Sequence, residues 1–339
     1  MSACTNAQSI TEISLTAGTP PSEELLTSDQ PWVARGYLND WPVVQHGNQG
    51  AKKALDYLES FYQGRSVNAF LAEPSADGRF FYNEDVTGFN FIQVATRLDQ
   101  VFSQLLTSME DSQAPAVYVG STQTSAWLPG FNETHPLPFT LPGVMTSLWI
   151  GNRARIAAHF DFPRNIAACV LGQRKFTLFP PDQVTNLYVG PWDLTPAGQP
   201  ISMVDFAKPD YQQFPKFADA ERYAQVTVLE PGDIIYIPNV WWHHVESLAA
   251  INGLINFWWH ETPAVYGSPT EALKHAFLSI RSLPLHQRKA LKSLFDHYIF
   301  SDNDQHLKHL PEASLGRLGQ VSDSLARQLR TELTNSLKR

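Results

Sequence analysis

Cysteine is scarce in this sequence, with only Cys4 and Cys169 among 339 residues. Two cysteines are too few for a disulfide framework or for a cysteine-based zinc site, and they fit a reducing compartment. The sequence therefore excludes a small disulfide-stapled scaffold, and we interpret both thiols as unreactive.

Long hydrophobic runs are also missing. The N-terminus has neither the basic region nor the apolar region of a secretory signal. No stretch approaches the roughly 18 uncharged apolar residues that a membrane helix requires. We therefore expect a cytoplasmic protein that does not enter a membrane.

Basic residues are outnumbered. The chain has 25 Lys and Arg against 33 Asp and Glu, which gives a net charge of -8 and an isoelectric point near 5.7. Binding nucleic acid requires a basic face that neutralises phosphates, so we expect no nucleic-acid partner, although a local basic patch stays open. The 43% of hydrophobic residues can bury at least one sizeable core, in one large β domain or in two ordinary domains.

The first third of the chain mixes polar and helical patterns. Residues 1–25 are rich in Ser, Thr and Pro and are predicted to form a tail or a loose edge segment. Apolar residues then recur at helical spacing in 51–62 and again in 91–106, where Val94 and Leu98 begin the stripe. We predict two helices that flank a sheet.

Short apolar runs separated by Pro and Gly occupy the middle of the chain. Such runs are typical of strands, and their density favours a sandwich or a jelly-roll barrel. Pro231 and Gly232 occupy the central positions of a predicted type II turn between two of them. The predicted strands are 116–120, 144–150, 166–171, 175–179, 226–229, 233–237 and 254–258.

The C-terminal region, 266–339, is helical in pattern. Ser268, Pro269 and Glu271 combine an N-cap, a first-turn proline and a capping-box glutamate. Three helices after a complete β core need a surface to cover, so we predict a homodimer through this region; helices that pack back on their own barrel are the alternative. The three apolar stripes are Leu273, Phe277 and Ile280; Leu291, Leu294, Phe295 and Tyr298; and Leu318, Val321, Leu325, Leu329 and Leu333, the last near heptad spacing.

Two tracts about 80 residues apart carry candidate metal ligands. In a strand, residues two apart point to the same side, so His159 and Asp161 can share one face. The second tract places His243 and His244 after two tryptophans, and in an extended segment only one of them can point inward. Either tract alone is weak, and a surface pair or a core histidine would explain it. Together, two histidines and one carboxylate suit non-haem Fe(II) with open coordination positions.

An iron of this kind leaves room for a bidentate 2-oxo acid and dioxygen. A 2-oxoglutarate cosubstrate would need a buried cation for its distal carboxylate. Arg174 or Lys175, at the start of a predicted strand, can supply it, and arginine offers a bidentate fork. A solvated basic pair is the alternative interpretation.

The motifs together resemble the cupin-like JmjC hydroxylases, with the nearest likeness to the asparaginyl hydroxylase that restrains hypoxia-inducible factor. The likeness covers roughly Trp32 to Glu261, and the order and spacing of the motifs make it specific. The segments that carry it are 159–161, 172–182, 204–217, 231–238, 241–248 and 256–258.

This resemblance implies a mainly β fold with flanking helices, a double-stranded β-helix core of 26–265 followed by the C-terminal helices of 266–339. It implies an Fe(II)- and 2-oxoglutarate-dependent dioxygenase that hydroxylates a C–H bond of a polypeptide side chain or a small molecule and releases succinate and carbon dioxide. It also implies a homodimer through the C-terminal helices. The site residues that it implies are His159, Asp161 and His243 as iron ligands, Arg174 and Tyr118 at the distal carboxylate of 2-oxoglutarate, and Asn165 and Asn256 near its metal-bound end.

Two positions depart from the family pattern. Ile156 stands where a threonine often helps to hold the cosubstrate, and Arg174 replaces a lysine. These departures leave open a catalytically silent cupin-fold metal-binding or regulatory protein, or a small-molecule cupin enzyme that does not use 2-oxoglutarate. The stretch from Tyr188 to Phe217 is expected to wall the groove for a prime substrate, whose identity fold analogy transfers poorly.

Overall fold

The short apolar runs pair into two β-sheets that pack on each other through Phe176 and Leu178 of one sheet and Ile235 and Leu254 of the other. The structure is a computed structural model, and it describes residues 4, 7–301 and 304–338. Within these residues the strands are β1 Gln8–Ser9, β2 Thr11–Ile13, β3 Trp32–Ala34, β4 Val67–Ala72, β5 Arg79–Phe80, β6 Phe91–Thr96, β7 Ala116–Gln123, β8 Met145–Gly151, β9 Arg155–His159, β10 Arg164–Leu171, β11 Arg174–Phe179, β12 Gln225–Leu229, β13 Ile234–Ile237, β14 Trp242–Ser247 and β15 Asn252–Trp259.

The strand order defines a jelly-roll arrangement. One sheet runs β1-β12-β11-β14-β9-β5 and the other runs β2-β3-β13-β10-β15-β8-β7-β4-β6. The long central pairs, such as β10 with β15 and β11 with β14, are antiparallel. This architecture confirms the predicted mainly β fold of the double-stranded β-helix class with flanking helices.

Helices cover the outer face of the larger sheet. Helix α3 buries Leu55 and Leu58, and α4 buries Val101 and Phe102, in a core shared with strands of that sheet. Burial of one apolar stripe is what stabilises such short helices. The helices are α1 Glu23–Leu26, α2 Pro42–Gly47, α3 Ala51–Glu59, α4 Leu98–Thr107, α5 Thr124–Trp127, α6 Phe131–Thr134, α7 Phe217–Ala220, α8 Pro269–Ser279, α9 Leu285–Tyr298 and α10 Asp323–Leu337, with short 3-10 turns between them.

Each of the seven predicted strands occurs, with ends shifted by a residue or two or extended by up to three. The turn between β12 and β13 also follows its prediction. Gly232 has a φ of 97°, and the Asp233 N–H donates to the Glu230 carbonyl at 3.0 Å. A side chain at Gly232 would place Cβ 2.0 Å from Asn39 Oδ1, so this position requires glycine for space as well as for conformation.

The helix predicted over 91–106 is wrong in its first part. Residues Phe91–Thr96 form β6, which pairs antiparallel with β4, and the helix begins only at Leu98. The Phe91 ring packs against Phe70 at a centroid distance of 5.5 Å. An apolar run this short fits both the helical and the strand repeat. The segment forms a strand because β4 is available to pair with it.

The described chain divides into two units, Met1–His260 and Glu261–Arg339. In the second unit the Ser268 hydroxyl accepts from the Thr270 N–H and caps α8 as expected. The third predicted helix starts later than its stripe suggested, because Leu318 lies in a 3-10 turn and α10 begins at Asp323 behind the N-cap Ser322. None of the described helices has the length and apolar character needed to cross a membrane.

Candidate metal centre and cosubstrate pocket

The structure brings three predicted ligands together on neighbouring strands. His159 is the last residue of β9 and lies directly opposite His243 in β14. Asp161 follows two residues after His159, just beyond the end of the strand rather than within it. One ligand atom from each of the three side chains lies within 4.8 Å of the others, a separation that suits a shared metal ion.

Both imidazole rings are oriented by backbone carbonyls. The His159 Nδ1–H donates to the Ala157 carbonyl at 3.0 Å, and the His243 Nδ1–H donates to the Trp241 carbonyl at 3.0 Å. Because a carbonyl can only accept, each ring in its neutral form keeps Nε2 free for a metal. Burial, reinforced by His159, lowers the pKa of His243 to about 4, which favours this neutral form.

The Asp161 backbone is held by a strained loop. The Val240 N–H donates to the Asp161 carbonyl at 2.8 Å. Val240 has a φ of 64°, in the left-handed region that β-branched residues rarely adopt. Such strain persists only where the surroundings impose it, and it clusters at functional sites. Nothing in the sequence marks Val240 for this conformation except its position two residues after Pro238.

His244 faces the opposite side of the sheet. Its ring packs on Phe206 at 4.7 Å, and its Nε2 lies 3.7 Å from Glu246 Oε1. Strand alternation predicted that only one of the two histidines faces the site, without deciding which one. In the structure it is His243, which lies beside His159, whereas His244 points away.

Arg174 supplies a buried cation in the same cavity. It is 1% exposed, and within the described part of the chain its Nε and Nη2 have no hydrogen-bond partner. Burial raises the pKa of the Tyr118 hydroxyl, and the nearby positive charge of Arg174 opposes that rise. A buried guanidinium with unsatisfied donors is costly unless an anion meets it, so the pocket fits a carboxylate.

Lys175 takes a different position from Arg174. It alternates to the other face of β11, where its Nζ lies 2.8 Å from Glu246 Oε1. Gly172 allows the turn before the strand, since it has a φ of 70° and a Cβ there would meet the Ile251 carbonyl at 2.4 Å. Of the two basic residues considered from the sequence, Arg174 is the one that lines the cavity.

Asn165 and Asn256 meet across β10 and β15. The Asn256 Nδ2 donates to Asn165 Oδ1 at 2.7 Å, and both side chains are buried. Asn256 Oδ1 has no partner in the described part of the chain. The pair lines the same cavity as the three candidate ligands and leaves one acceptor for a bound molecule.

The cavity has a volume of about 450 Å³, within the range that buries small ligands. Ile156, which stands where the resemblance led us to expect that a threonine is often found, lines the cavity. Of the stretch expected to wall the groove, the lining includes Ile201 and the 196–199 segment, whereas Phe206 and Phe217 pack behind the smaller sheet. The sequence analysis did not predict that aromatic side chains such as Trp149 line the cavity. The alternation of Met145, Ser147 and Trp149 along one strand could have indicated it, because these three residues share one face.

The fold and the site together define a jelly-roll protein with a candidate two-histidine, one-carboxylate metal centre beside an anion pocket. The donor set fits Fe(II), and the unsatisfied guanidinium fits the far carboxylate of a 2-oxo diacid. A family model described as "Cupin-like domain" matches residues 20–265, most of the chain. The chain belongs to this family, and the match confirms the cupin-like JmjC relationship expected from the motifs.

Curated relatives agree with the family. Human HSPB1-associated protein 1 is 34% identical over 120 residues, 34% of this chain and 24% of that protein. The zebrafish tRNA wybutosine-synthesizing protein 5 is 33% identical over 102 residues, 30% of this chain and 28% of that protein. Lysine-specific demethylase 8 of Xenopus tropicalis is 23% identical over 245 residues, 70% of this chain and 49% of that protein. The matches thus span a quarter to a half of these relatives.

The JmjC and cupin-like family includes 2-oxoglutarate-dependent oxygenases and demethylases. The likeness to the asparaginyl hydroxylase stays an expectation from the motifs alone.

Proposed function

We propose that this protein is an Fe(II)- and 2-oxoglutarate-dependent dioxygenase that hydroxylates a C–H bond of a polypeptide side chain or a small molecule. The observation that carries the proposal is the buried, unsatisfied guanidinium of Arg174 in the same cavity as His159, Asp161 and His243. A metal centre alone would suit many cupin proteins. A buried cation beside it is the feature that a dicarboxylic cosubstrate requires.

In this proposal His159, Asp161 and His243 hold the iron, and Arg174 and Tyr118 hold the distal carboxylate of 2-oxoglutarate. When bound, iron with 2-oxoglutarate and dioxygen supplies the oxidation of a C–H bond, with release of succinate and carbon dioxide.

The chain's own residues orient the reactants and exclude water. The carbonyls of Ala157 and Trp241 fix the two rings, so that neither needs to reorient when a metal arrives. Phe176, Val245 and Leu254 line the cavity with apolar surface, which strengthens the attraction between Arg174 and a carboxylate.

The first experiment measures succinate formed from 2-oxoglutarate in the presence of Fe(II) and dioxygen. We expect turnover by the wild type and its loss in His159→Ala. His244→Gln is the matched control, because His244 belongs to the same histidine pair but faces away from the cavity. Unchanged activity in His159→Ala would contradict the assignment of the ligands.

The second experiment tests the cosubstrate pocket. In Arg174→Leu we expect the KM for 2-oxoglutarate to rise about 10- to 100-fold, the effect of losing hydrogen bonds to a charged group. Arg174→Lys keeps the charge and should lose less. Lys175→Leu removes a neighbouring charge that points elsewhere, and an equal loss in this control would contradict the role of Arg174.

A further inference from the structure

The cavity contains very little charge. Among the described residues that line it, Asp161 and Arg174 carry the only formal charges. Both already have partners in the proposed function, namely the metal and the cosubstrate. Asp161 and the two carboxylates of 2-oxoglutarate balance the divalent iron and the guanidinium, so no net charge is left to attract a charged substrate.

Aromatic rings form a continuous wall around the same space. Neighbouring ring centroids along this wall lie 5.5 to 5.9 Å apart. Contacts at this distance are typical of packed aromatic pairs. The wall, which we call the aromatic arc, consists in order of Phe70, Phe91, Phe80, Tyr118, Trp149 and Trp258.

Two further parts of the lining, Met145 and the 196–199 segment, are uncharged as well. Met145 lies directly opposite Trp258 in the sheet, and both line the cavity. The 196–199 segment, Pro-Ala-Gly-Gln, supplies another part of the lining. Its loop is held in place because the Tyr82 hydroxyl donates to the Leu194 carbonyl at 2.7 Å and the Gly190 N–H donates to the Ile201 carbonyl at 2.8 Å.

We propose that the group of the prime substrate that enters this cavity is uncharged, with an aromatic or aliphatic body that packs on the aromatic arc. The Trp149 and Trp258 Nε1 atoms, which are buried without a hydrogen-bond partner among the described residues, can donate to a neutral acceptor such as an amide oxygen of the same substrate. The proposal rests on the proposed function and specifies the substrate class of that site. An apolar group gains by displacing water from the aromatic arc, whereas a cationic or anionic side chain would lose hydration without finding a partner charge.

A methylated ammonium is the charged group most compatible with aromatic walls, because cations bind to the faces of aromatic rings. Three members of the aromatic arc are phenyl rings, which bind cations less well than indole does, and a cation would also approach the iron and Arg174. The geometry therefore favours the neutral group, and a trimethylated probe becomes part of the test.

Binding is measured with the anaerobic Fe(II) and 2-oxoglutarate complex by titration calorimetry and tryptophan fluorescence. The neutral probes are N-acetyl-norleucinamide and N-acetyl-phenylalaninamide. The charged probes are N-acetyl-lysinamide, its trimethylated form and the α-amide of N-acetyl-glutamate. We expect the neutral probes to bind at least about tenfold more tightly, given the cost of burying an unpaired charge.

Met145→Glu tests the cause of this preference. Met145 is 41% exposed, so a glutamate is tolerated there, and it would place a carboxylate at the rim beside Trp258. We expect this variant to bind N-acetyl-lysinamide more tightly and N-acetyl-norleucinamide more weakly, each by about tenfold. Met145→Leu should keep the wild-type order. Val144→Glu is the matched control, because Val144 is 40% exposed and does not line the cavity.

Equal or tighter binding of any charged probe to the wild type would overturn the proposal, as would the absence of measurable binding by every probe. An unchanged preference in Met145→Glu would also contradict it. Succinate formation does not enter these titrations, so a failure of the proposed dioxygenase activity is scored separately, by turnover of 2-oxoglutarate without any probe.

Discussion

At the scale of single residues, the site depends on which side of a strand each side chain takes. Arg174 and Lys175 are neighbours with the same charge, yet one lies unsatisfied in the cavity and the other pairs with Glu246. His243 and His244 divide in the same way. Strand alternation predicted that the two histidines would separate, and it explains why the two basic residues do so as well. The register between strands decided which member of each pair faces the cavity.

Ile156 departs from the expected family pattern, and a substitution by threonine reverses this departure. It lines the cavity, so a threonine there would offer a hydroxyl to the cosubstrate. We predict that Ile156→Thr lowers the KM for 2-oxoglutarate about 2- to 10-fold, the usual range for one added hydrogen bond. Steady-state succinate assays measure this directly.

Ile156→Val is the control for that experiment, because it trims the same side chain without adding a hydroxyl. An equal fall in KM for both variants would show that space rather than hydrogen bonding limits the cosubstrate at this position.

At the scale of elements, the pairing of β9 with β14 contains the least predictable feature. His243 pairs with His159, and Val245 pairs with Ile156. The paired residues are therefore two positions apart in β14 but three positions apart in β9. The extra residue is a β-bulge. Residues three apart in a regular strand face opposite sides, and the bulge lets both His159 and Ile156 line the cavity.

The sequence predicted the strands, the turn at Gly232 and the tracts that meet at the candidate centre, because each depends on local pattern. It did not predict the bulge in β9, the strained φ of Val240 or the strand at 91–96. These three depend on pairing and contacts between distant segments. The aromatic arc belongs to the same group, since its rings come from β4, β5, β6, β7, β8 and β15.

The hydrogen bond between His135 and helix α2 makes the stability of the protein depend on pH. His135 Nε2 accepts the Val43 N–H, in the first turn of α2, at 3.2 Å, and burial lowers the His135 pKa to about 4. The ordinary pKa is 6.5, so the unfolded chain takes up a proton first as the pH falls. We predict that the contribution of His135 to stability is fully present above about pH 6.5 and is lost between pH 6.5 and 4, and that it amounts to about 1–3 kcal/mol.

Urea unfolding across that pH range measures the effect. His135→Gln should flatten the pH dependence while lowering the stability at pH 7. The slope will not vanish, because His243 and His244 also have pKa values lowered to about 4 by burial and act in the same direction. A variant with the full wild-type slope would show that His135 is not one of the groups responsible.

At the scale of the whole molecule, acidic net charge and an uncharged cavity have different consequences. The net charge of -8 acts at long range and disfavours polyanionic partners. The neutral cavity acts at contact and selects by shape and apolar surface. The lining residues of this cavity favour neither a polyanion nor a cation.

The C-terminal unit carries the last prediction, a homodimer. Helix α9 and the residues after it expose several large apolar side chains, including Leu294, Tyr298, Ile299 and Phe300, the last two at 65% and 68%. Exposed apolar surface of this kind marks interaction sites in soluble proteins.

We predict a dimer by light scattering at micromolar concentration and a shift to monomer in the double variant Ile299→Lys with Phe300→Lys. Tyr223→Lys, an equally drastic change at an exposed aromatic of the first unit, should leave the dimer intact. A monomeric wild type would contradict the prediction, and it would favour helices that serve only their own chain.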